Sequence, residues 1–151
     1  MNTAAMFSSK TDDWYTPDDL FDRLNNEFGP IVLDVCATPE NSKCPVFYTR
    51  EQDGLVQNWA EAADQIIPGA RCWMNPPYGR AIGKWIQKAS REAHLGAVTV
   101  ALLPARVDTA WFHDYILGQH YVRFLRGRLK FGGAKNSAPF PSMVVVFGVM
   151  P

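Results

Sequence analysis

Four consecutive residues, Asn75-Pro76-Pro77-Tyr78, carry groups that could activate a planar amino group. Such a nitrogen is a poor nucleophile because its lone pair is delocalised, and two acceptors aimed at its N–H bonds would draw the pair back. Asn75 offers a side-chain oxygen and Pro76 a backbone carbonyl, while the prolines fix φ and stiffen the loop. Acceptors held in place in this way favour direct attack on a sulfonium methyl group, without a metal or a covalent intermediate.

The last residue of this loop, Tyr78, offers a flat face on which an extruded base could stack. A second interpretation stays open for the whole loop, because two prolines can simply stiffen a connection, with Asn75 in an Asx turn. The loop directly follows a predicted strand and precedes a predicted amphipathic helix. Open α/β sheets bind ligands at the carboxyl ends of their strands, which favours the catalytic interpretation.

The apolar pattern predicts the elements that position this loop. A first helix is expected to start with Thr16 as its cap and Pro17 in its first turn, and to end before Gly29-Pro30. Further helices are predicted at residues 55–65, 80–94 and 109–117. Strands are predicted at residues 31–35, 46–49, 71–74, 97–103, 121–125, 128–131 and 143–149. This order predicts an α/β fold in three layers, a mostly parallel sheet flanked by helices with an antiparallel edge.

Length and composition indicate one domain. The chain has 151 residues, of which 47% are hydrophobic, enough for a full core over residues 11–151 behind a loose terminus at 1–10. No apolar run is long enough to span a bilayer and no signal-peptide pattern is present, so we expect a cytoplasmic protein without a membrane partner. Cys36, Cys44 and Cys72 include no CxxC pair, so we expect reduced thiols and no metal site.

Charge is divided along the chain. Residues 1–70 hold 4 Lys/Arg and 12 Asp/Glu, residues 71–114 hold 6 and 3, and residues 115–151 hold 5 and none. Solvated faces could produce this asymmetry by accident. The functional interpretation is that the acidic part receives a cation and the basic part an anionic polymer.

Within the basic part, Arg126, Arg128 and Lys130 alternate, so on a strand they would line one face, and Lys135 lies close by in sequence. We expect a surface that contacts phosphates, with affinity that falls steeply with salt. An edge strand protected by charge would look similar.

Several short motifs occur together in one order: Asp13-Trp14-Tyr15-Thr16-Pro17, Leu33-Asp34-Val35-Cys36-Ala37, Asp53-Gly54-Leu55, Asn75-Pro76-Pro77-Tyr78-Gly79, Leu103-Pro104-Ala105-Arg106, Gly127-Arg128-Leu129-Lys130-Phe131 and Ala138-Pro139-Phe140-Pro141-Ser142. Over nearly its whole length the chain resembles the phage-type DNA N6-adenine methyltransferase (Dam) family. The resemblance implies a Rossmann-like fold that uses S-adenosylmethionine, site-specific methylation of adenine in double-stranded DNA, and action in the host cytoplasm. It also adds Arg106 to the expected DNA-binding residues.

The resemblance further implies where the cofactor is held. The segment Trp14-Tyr15-Thr16-Pro17 and the loop of Asp34, Cys36 and Ala37 would hold the methionine end, and Asp53 with Leu55 would lie near the adenosine end. A carboxylate at a strand end can pair with the ammonium group of the cofactor, which agrees for Asp34. The loop after Asp34 contains no glycine, unlike most cofactor loops of this class. Asp34 as a cap, Asp53 as the opening of a turn and Trp14 as a core residue remain open.

Other functions fit parts of the pattern. The loop at Asn75 would equally suit an exocyclic amine of RNA or the side-chain amide of a protein glutamine, and a DNA-binding remnant without catalysis would share the basic end. Cytosine C5 chemistry needs a Pro-Cys nucleophile, whereas the order here is Cys44-Pro45.

The roughly 40 residues between Asp34 and Asn75 leave no space for an inserted recognition domain, so a very short target preference is expected. Phe131 or Phe140 could stack on the displaced base, and the sequence leaves the oligomeric state open.

Overall fold

A computed structural model describes residues 14–148 of the chain. The predicted loose terminus and Val149, the end of the last predicted strand, lie outside these residues. The helices are α1 (Asp18–Phe28), α2 (Trp59–Ile66), α3 (Ile82–His94) and α4 (Ala110–Tyr115), with a short 3-10 helix at Gly54–Val56. The strands are β1 (Ile31–Asp34), β2 (Val46–Phe47), β3 (Arg71–Met74), β4 (Thr99–Pro104), β5 (Tyr121–Phe124) and β6 (Ser142–Phe147).

One six-stranded sheet runs through the described residues in the order β2-β1-β3-β4-β6-β5. The first four of these strands pair in parallel, and β6 pairs antiparallel with both β4 and β5. The sheet is therefore mostly parallel with an antiparallel edge, which confirms the predicted mixed α/β architecture. Parallel pairing brings the carboxyl ends of β1 and β3 to the same edge, so Asp34 and the loop at Asn75 become neighbours.

Helices cover both faces of the sheet because its strands are apolar on both sides. On β3, Trp73 packs edge-on against Phe21 of α1, with ring centroids 5.2 Å apart. The next residue back, Cys72, places its sulfur 3.9 Å from the carbonyl of Trp59 in α2. Since successive strand residues point to opposite faces, α1 and α2 lie on opposite sides of the sheet. The strands β4 and β6 are buried along their whole length and form the centre of the core.

The predicted strand at residues 128–131 is wrong. Residues 125–141 form one irregular loop between β5 and β6, which we call the basic loop. Gly127 has a φ of 74°, a left-handed conformation that ends the extended course of β5. Beyond it, Phe131 is buried in the core, and the N–H of Ala138 donates to the carbonyl of Leu129, so the loop closes on itself.

Along residues 14–148 no helix is long and apolar enough to cross a bilayer. Within the same residues no three His, Cys, Asp or Glu side chains gather to hold a metal ion.

Candidate active site

A cavity opens at the carboxyl ends of β1 and β3. Its walls come from the segment before α1, the chain that follows β1 and the loop after β3. The lining residues are Trp14, Tyr15, Thr16, Asp34, Cys36, Ala37, Thr38, Asn41, Lys43, Arg50, Trp73, Asn75, Pro76 and Pro77. The structure thus brings together the first two pieces of the predicted cofactor site, except Pro17, and three of the four residues of the predicted catalytic loop.

The side chain of Asn75 has one satisfied end and one unsatisfied end. Its Nδ2 donates to the backbone carbonyl of Trp14 and, at 3.0 Å, to Oγ1 of Thr16. Because a carbonyl can only accept, these contacts fix which end of the amide is the nitrogen. The oxygen Oδ1 is buried and has no hydrogen-bond partner among the described residues. A buried acceptor without a partner costs free energy, so Oδ1 is available to accept a hydrogen bond from a ligand.

The hydroxyl of Thr16 accepts a hydrogen bond from the Asn75 amide, and the prediction that Thr16 caps α1 is wrong. The helix begins at Asp18, and its cap residue is Pro17, without a side-chain cap hydrogen bond. Thr16 is instead buried, with 4% of its surface exposed. It lines the cavity with its hydroxyl against the Asn75 amide.

Asp34 is a buried carboxyl at the end of β1. Its two oxygens accept the backbone N–H groups of Cys36, at 3.3 Å, and Lys43, at 3.0 Å. Burial raises the pKa of Asp34 from 3.8 to about 7, outweighing these hydrogen bonds and the nearby Lys43, which lower it. A cation bound in the cavity would favour the charged carboxylate, which is the property expected of a group that pairs with an ammonium.

Other predicted cofactor residues lie away from this cavity, whose described lining includes none of Pro17, Asp53 and Leu55. Asp53 has a φ of 54°, and its side chain accepts the N–H of Leu55 at 3.1 Å. It thereby starts the 3-10 helix at Gly54–Val56. This geometry matches the alternative that Asp53 opens a turn.

Tyr78 differs from the expectation of an open aromatic face. Its ring is 3% exposed and packs against Phe131 and Phe140, with centroids 6.3 and 5.6 Å away. The hydroxyl donates to the carbonyl of Leu102 in β4 at 2.9 Å. The burial raises the pKa of Tyr78 well above its usual value of 10. The side chain anchors the catalytic loop to the sheet, and its ring offers no surface to the cavity.

Several lining residues were not anticipated from the sequence. The chain after β1 turns at Thr38, whose N–H donates to Oδ1 of Asn41 while its Oγ1 accepts the N–H of Asn41. Farther on, Lys43 is held by Asp18 at the start of α1, with Nζ 2.5 Å from Oδ1. The polar turn that follows Asp34 in the sequence could have predicted Thr38 and Asn41 as lining residues. The approach of Lys43 depends on tertiary structure alone.

The basic side of the molecule adjoins this site. The cations Arg126, Arg128, Lys130 and Lys135 are all exposed on the basic loop. The loop is joined to the cavity wall, because the N–H of Gly132 donates to the carbonyl of Tyr15 at 2.8 Å. Their predicted alternation on a strand is absent, but the basic loop that carries them packs Phe131 and Phe140 against Tyr78 of the candidate catalytic loop.

Arg106 approaches the candidate catalytic loop from the chain that follows β4. Its Nη1 donates to the carbonyl of Tyr78 at 3.3 Å, and its guanidinium lies 5.9 Å above the ring of Phe140. Arg106 is exposed, so it can still contact an anion in solution.

A mostly parallel α/β sheet with an acceptor-bearing Asn-Pro-Pro-Tyr loop and a buried carboxyl at neighbouring strand ends is the arrangement expected of an amino-group methyltransferase. Comparison with known proteins agrees and goes further. The family model described as DNA N-6-adenine-methyltransferase (Dam) matches residues 3–147, and the chain belongs to this family.

Two relatives illustrate the match. The chain is 32% identical over 146 residues to the DNA N-6-adenine-methyltransferase of Haemophilus phage HP1 (strain HP1c1), an alignment that covers 92% of the chain and 80% of the relative. It is 40% identical over 67 residues to the YfdM protein of Escherichia coli (strain K12), whose name places it among methyltransferases; this alignment covers 44% of the chain and 71% of the relative. Membership of the family supports the methylation of adenine in DNA as the general activity.

Proposed function

We propose that the chain transfers a methyl group from S-adenosylmethionine to N6 of adenine in double-stranded DNA, with the adenine extruded into the cavity beside Asn75. The observation that carries the proposal is the buried Oδ1 of Asn75, which has no partner within residues 14–148, in a cavity that also contains a buried carboxyl. An exocyclic amino group supplies the missing donor, and the ammonium of the cofactor supplies the missing cation.

The cavity residues fit the cofactor chemically. Asp34 would pair with the ammonium group, and the lining residues around it, Trp14, Tyr15, Thr16, Cys36 and Ala37, would surround the methionine end. Asp53 and Leu55 would act at the adenosine end only if the ligand extends beyond the described lining. The sheet order supports a Rossmann-like assignment for the fold, since ligands of such sheets lie outside the carboxyl ends of the strands.

Asn75 and Pro76 would carry the chemistry. Oδ1 of Asn75 would accept one N6–H and the carbonyl of Pro76 the other, which concentrates the lone pair on N6. Bound S-adenosylmethionine supplies a methyl group activated by its sulfonium. Pro77 and the anchored Tyr78 would keep the two acceptors in place, because neither the backbone at the prolines nor the buried ring can rotate freely. Tyr78 therefore supports the loop, and a residue other than Tyr78 must stack on the base.

DNA would be held by the exposed cations of the basic loop together with Arg106. These side chains would contact phosphates on either side of the extruded adenine, so binding would depend on salt more than on base sequence. Phe140 is half-buried and lies under the guanidinium of Arg106, so it could stack on the displaced base beside these phosphate contacts.

The decisive experiment is transfer of labelled methyl from S-adenosylmethionine to unmethylated DNA, followed by nucleoside analysis. We expect N6-methyladenine from the wild type and a loss of roughly 100-fold or more in N75A, the scale typical of one preorganised polar group. N26A, which removes an exposed amide from α1, is the matched control and should retain full activity.

The same assay separates the alternatives. Label in RNA or in protein glutamine would replace DNA as the substrate. A chain that binds DNA without binding S-adenosylmethionine in calorimetry would be a remnant without catalysis.

A further inference from the structure

The amide nitrogen of Asn75 has two acceptors inside the protein. Nδ2 donates to the carbonyl of Trp14 and to Oγ1 of Thr16, so the amide is held at two points. The only polar atom of the side chain left without a partner among the described residues is Oδ1. The orientation of the proposed catalytic acceptor is therefore set by residues 14–16.

Thr16 lines the cavity, and its hydroxyl contacts the Asn75 amide. It caps no helix, because α1 begins at Asp18 with Pro17 as its cap residue. Burial of a hydroxyl costs free energy unless it is hydrogen-bonded, and its partner here is the Asn75 amide. Trp14 contributes a backbone carbonyl, which a side-chain substitution leaves in place.

Residues 14–16 are themselves fixed from the side of the basic loop. The ring of Trp14 packs against Phe131 at 5.2 Å and against Phe140 at 5.0 Å, and Gly132 donates to the carbonyl of Tyr15. These contacts hold the segment that carries Thr16 in place. Through its hydroxyl, Thr16 therefore restricts movement of the Asn75 amide.

We propose that Thr16 is a positioning residue for methyl transfer: its Oγ1, together with the Trp14 carbonyl, holds the Asn75 amide so that Oδ1 is presented to the amino group of the substrate. The inference rests on the proposed function of Asn75. It differs from the role that the family resemblance implies for this segment, which is to hold the cofactor.

The kinetic test compares T16V, T16S and T99V. Valine keeps the shape of Thr16 without the hydroxyl, serine keeps the hydroxyl, and Thr99 is a fully buried threonine of β4 outside the described cavity lining. We expect T16V to lower kcat roughly 10- to 100-fold, as a misplaced catalytic group does, with the calorimetric Kd for S-adenosylmethionine changed less than about twofold. T16S should recover most of kcat, and T99V should match the wild type.

Two results would overturn the inference. One is an unchanged kcat in T16V; the other is a cofactor Kd that rises in step with the loss of rate, which would make Thr16 a cofactor ligand. If T16V does not fold, T16S and T16C replace it, because cysteine is close to serine in size but a poor acceptor. Equal kcat values for these two variants would then contradict the role of the hydroxyl.

A second measurement separates this inference from the proposed function. The side-chain amide signals of Asn75, assigned by their absence in N75A, should exchange slowly with solvent in the wild type and faster in T16V. This readout needs no activity. Slow exchange that is unaffected in T16V refutes the positioning role even if the wild type methylates adenine, whereas a wild type without methyl transfer refutes the proposed function whatever the amide signals show.

Discussion

The amide of Asn75 combines two abilities that a carboxylate lacks, since it donates at one end and accepts at the other. In N75D an oxygen would replace Nδ2 and face the carbonyl of Trp14, so two acceptors would lie in contact within a buried site. We expect N75D to lose methyl transfer to nearly the same extent as N75A, which a methyl-transfer assay at neutral pH would measure. Activity in N75D close to that of the wild type would show that donation to Trp14 is dispensable.

Asp34 makes cofactor binding depend on pH. Since burial raises its pKa to about 7, the carboxyl is largely neutral at pH 5.5 and becomes charged as the pH rises through 7. Pairing with the cofactor ammonium requires the charged form, so affinity for S-adenosylmethionine should increase between pH 5.5 and 7.5. Calorimetric titrations across this interval test the prediction. D34N should bind weakly with a flat profile, and a wild type with the same flat profile would remove Asp34 from the cofactor site.

For single residues, the sequence predicted which side chains form the site better than it predicted what each of them contacts. Asp34 ends β1 and Asn75 directly follows β3, so their place in the cavity could be predicted from the sequence. The burial of Tyr78 could not, because it depends on Phe131 and Phe140, which approach from a loop more than fifty positions away. That Asp53 opens a turn was one of the interpretations that the sequence left open, since aspartate is compatible with several turn types, and the left-handed φ of Asp53 matches it.

Among the elements, the basic loop has the most direct link to DNA. Removing three exposed cations together, in R126A/R128A/K130A, should weaken DNA binding at least tenfold at moderate salt. It should also make log Kd less dependent on log salt, by up to about 0.9 for each phosphate that the variant no longer neutralises. Gel shifts at several salt concentrations measure both quantities. K84A/R91A, which removes two exposed cations from α3, is the control for charge alone; an equal effect per removed cation there would mean that charge acts without regard to position.

The helices α2 and α3 are joined by a buried glutamate. Glu92 is 2% exposed, and its Oε1 accepts the N–H groups of Trp59 and Ala60 at the start of α2, while Oε2 pairs with Lys88. E92A leaves these donors and the lysine without their acceptor, so the free energy of unfolding should fall by about 3 kcal/mol. Denaturant unfolding provides the measurement. E40A, which removes an exposed glutamate from the loop after β1, should change the free energy by less than about 0.5 kcal/mol, and a similarly small change in E92A would contradict the assigned contacts.

Element prediction succeeded where one periodicity dominated the pattern. The stripe of α1 and the continuous apolar runs of β3, β4 and β6 each allow one arrangement that buries them, and the structure confirms these elements. Residues 128–131 mix cations with apolar residues at a spacing of two, which a strand and a loop can share. In this segment the packing of Phe131 on Trp14 decides the conformation. That contact joins residues far apart in the sequence, so the pattern of residues 128–131 could not predict it.

Across the whole molecule, the parallel strands carry the residues of the candidate site, and the antiparallel pair of β4 and β6 anchors the loop after β3. Strands β1 and β3 deliver Asp34 and Asn75 to one edge, while β4 and β6 form the buried layer to which Tyr78 is tied. The residues alone indicated methylation of some planar amino group. The choice of adenine rests on membership of the family, because Asn75 and Pro76 would accept equally from any N–H₂ group of this shape.

Because the cavity joins the segment before α1, the chain after β1 and the loop after β3, a ligand that fills it should stabilise the entire fold. Binding at a hundred times Kd contributes about 2.7 kcal/mol, which for a chain of this size corresponds to a rise in Tm of roughly 5–10 °C. S-adenosylhomocysteine should act in the same way, since it keeps the amino acid and adenosine ends. Thermal unfolding with and without each ligand makes the test, with D34N expected to show little shift and N75A nearly the full shift. If N75A lost the shift and D34N kept it, the assignments of cofactor and substrate ends within the cavity would have to be exchanged.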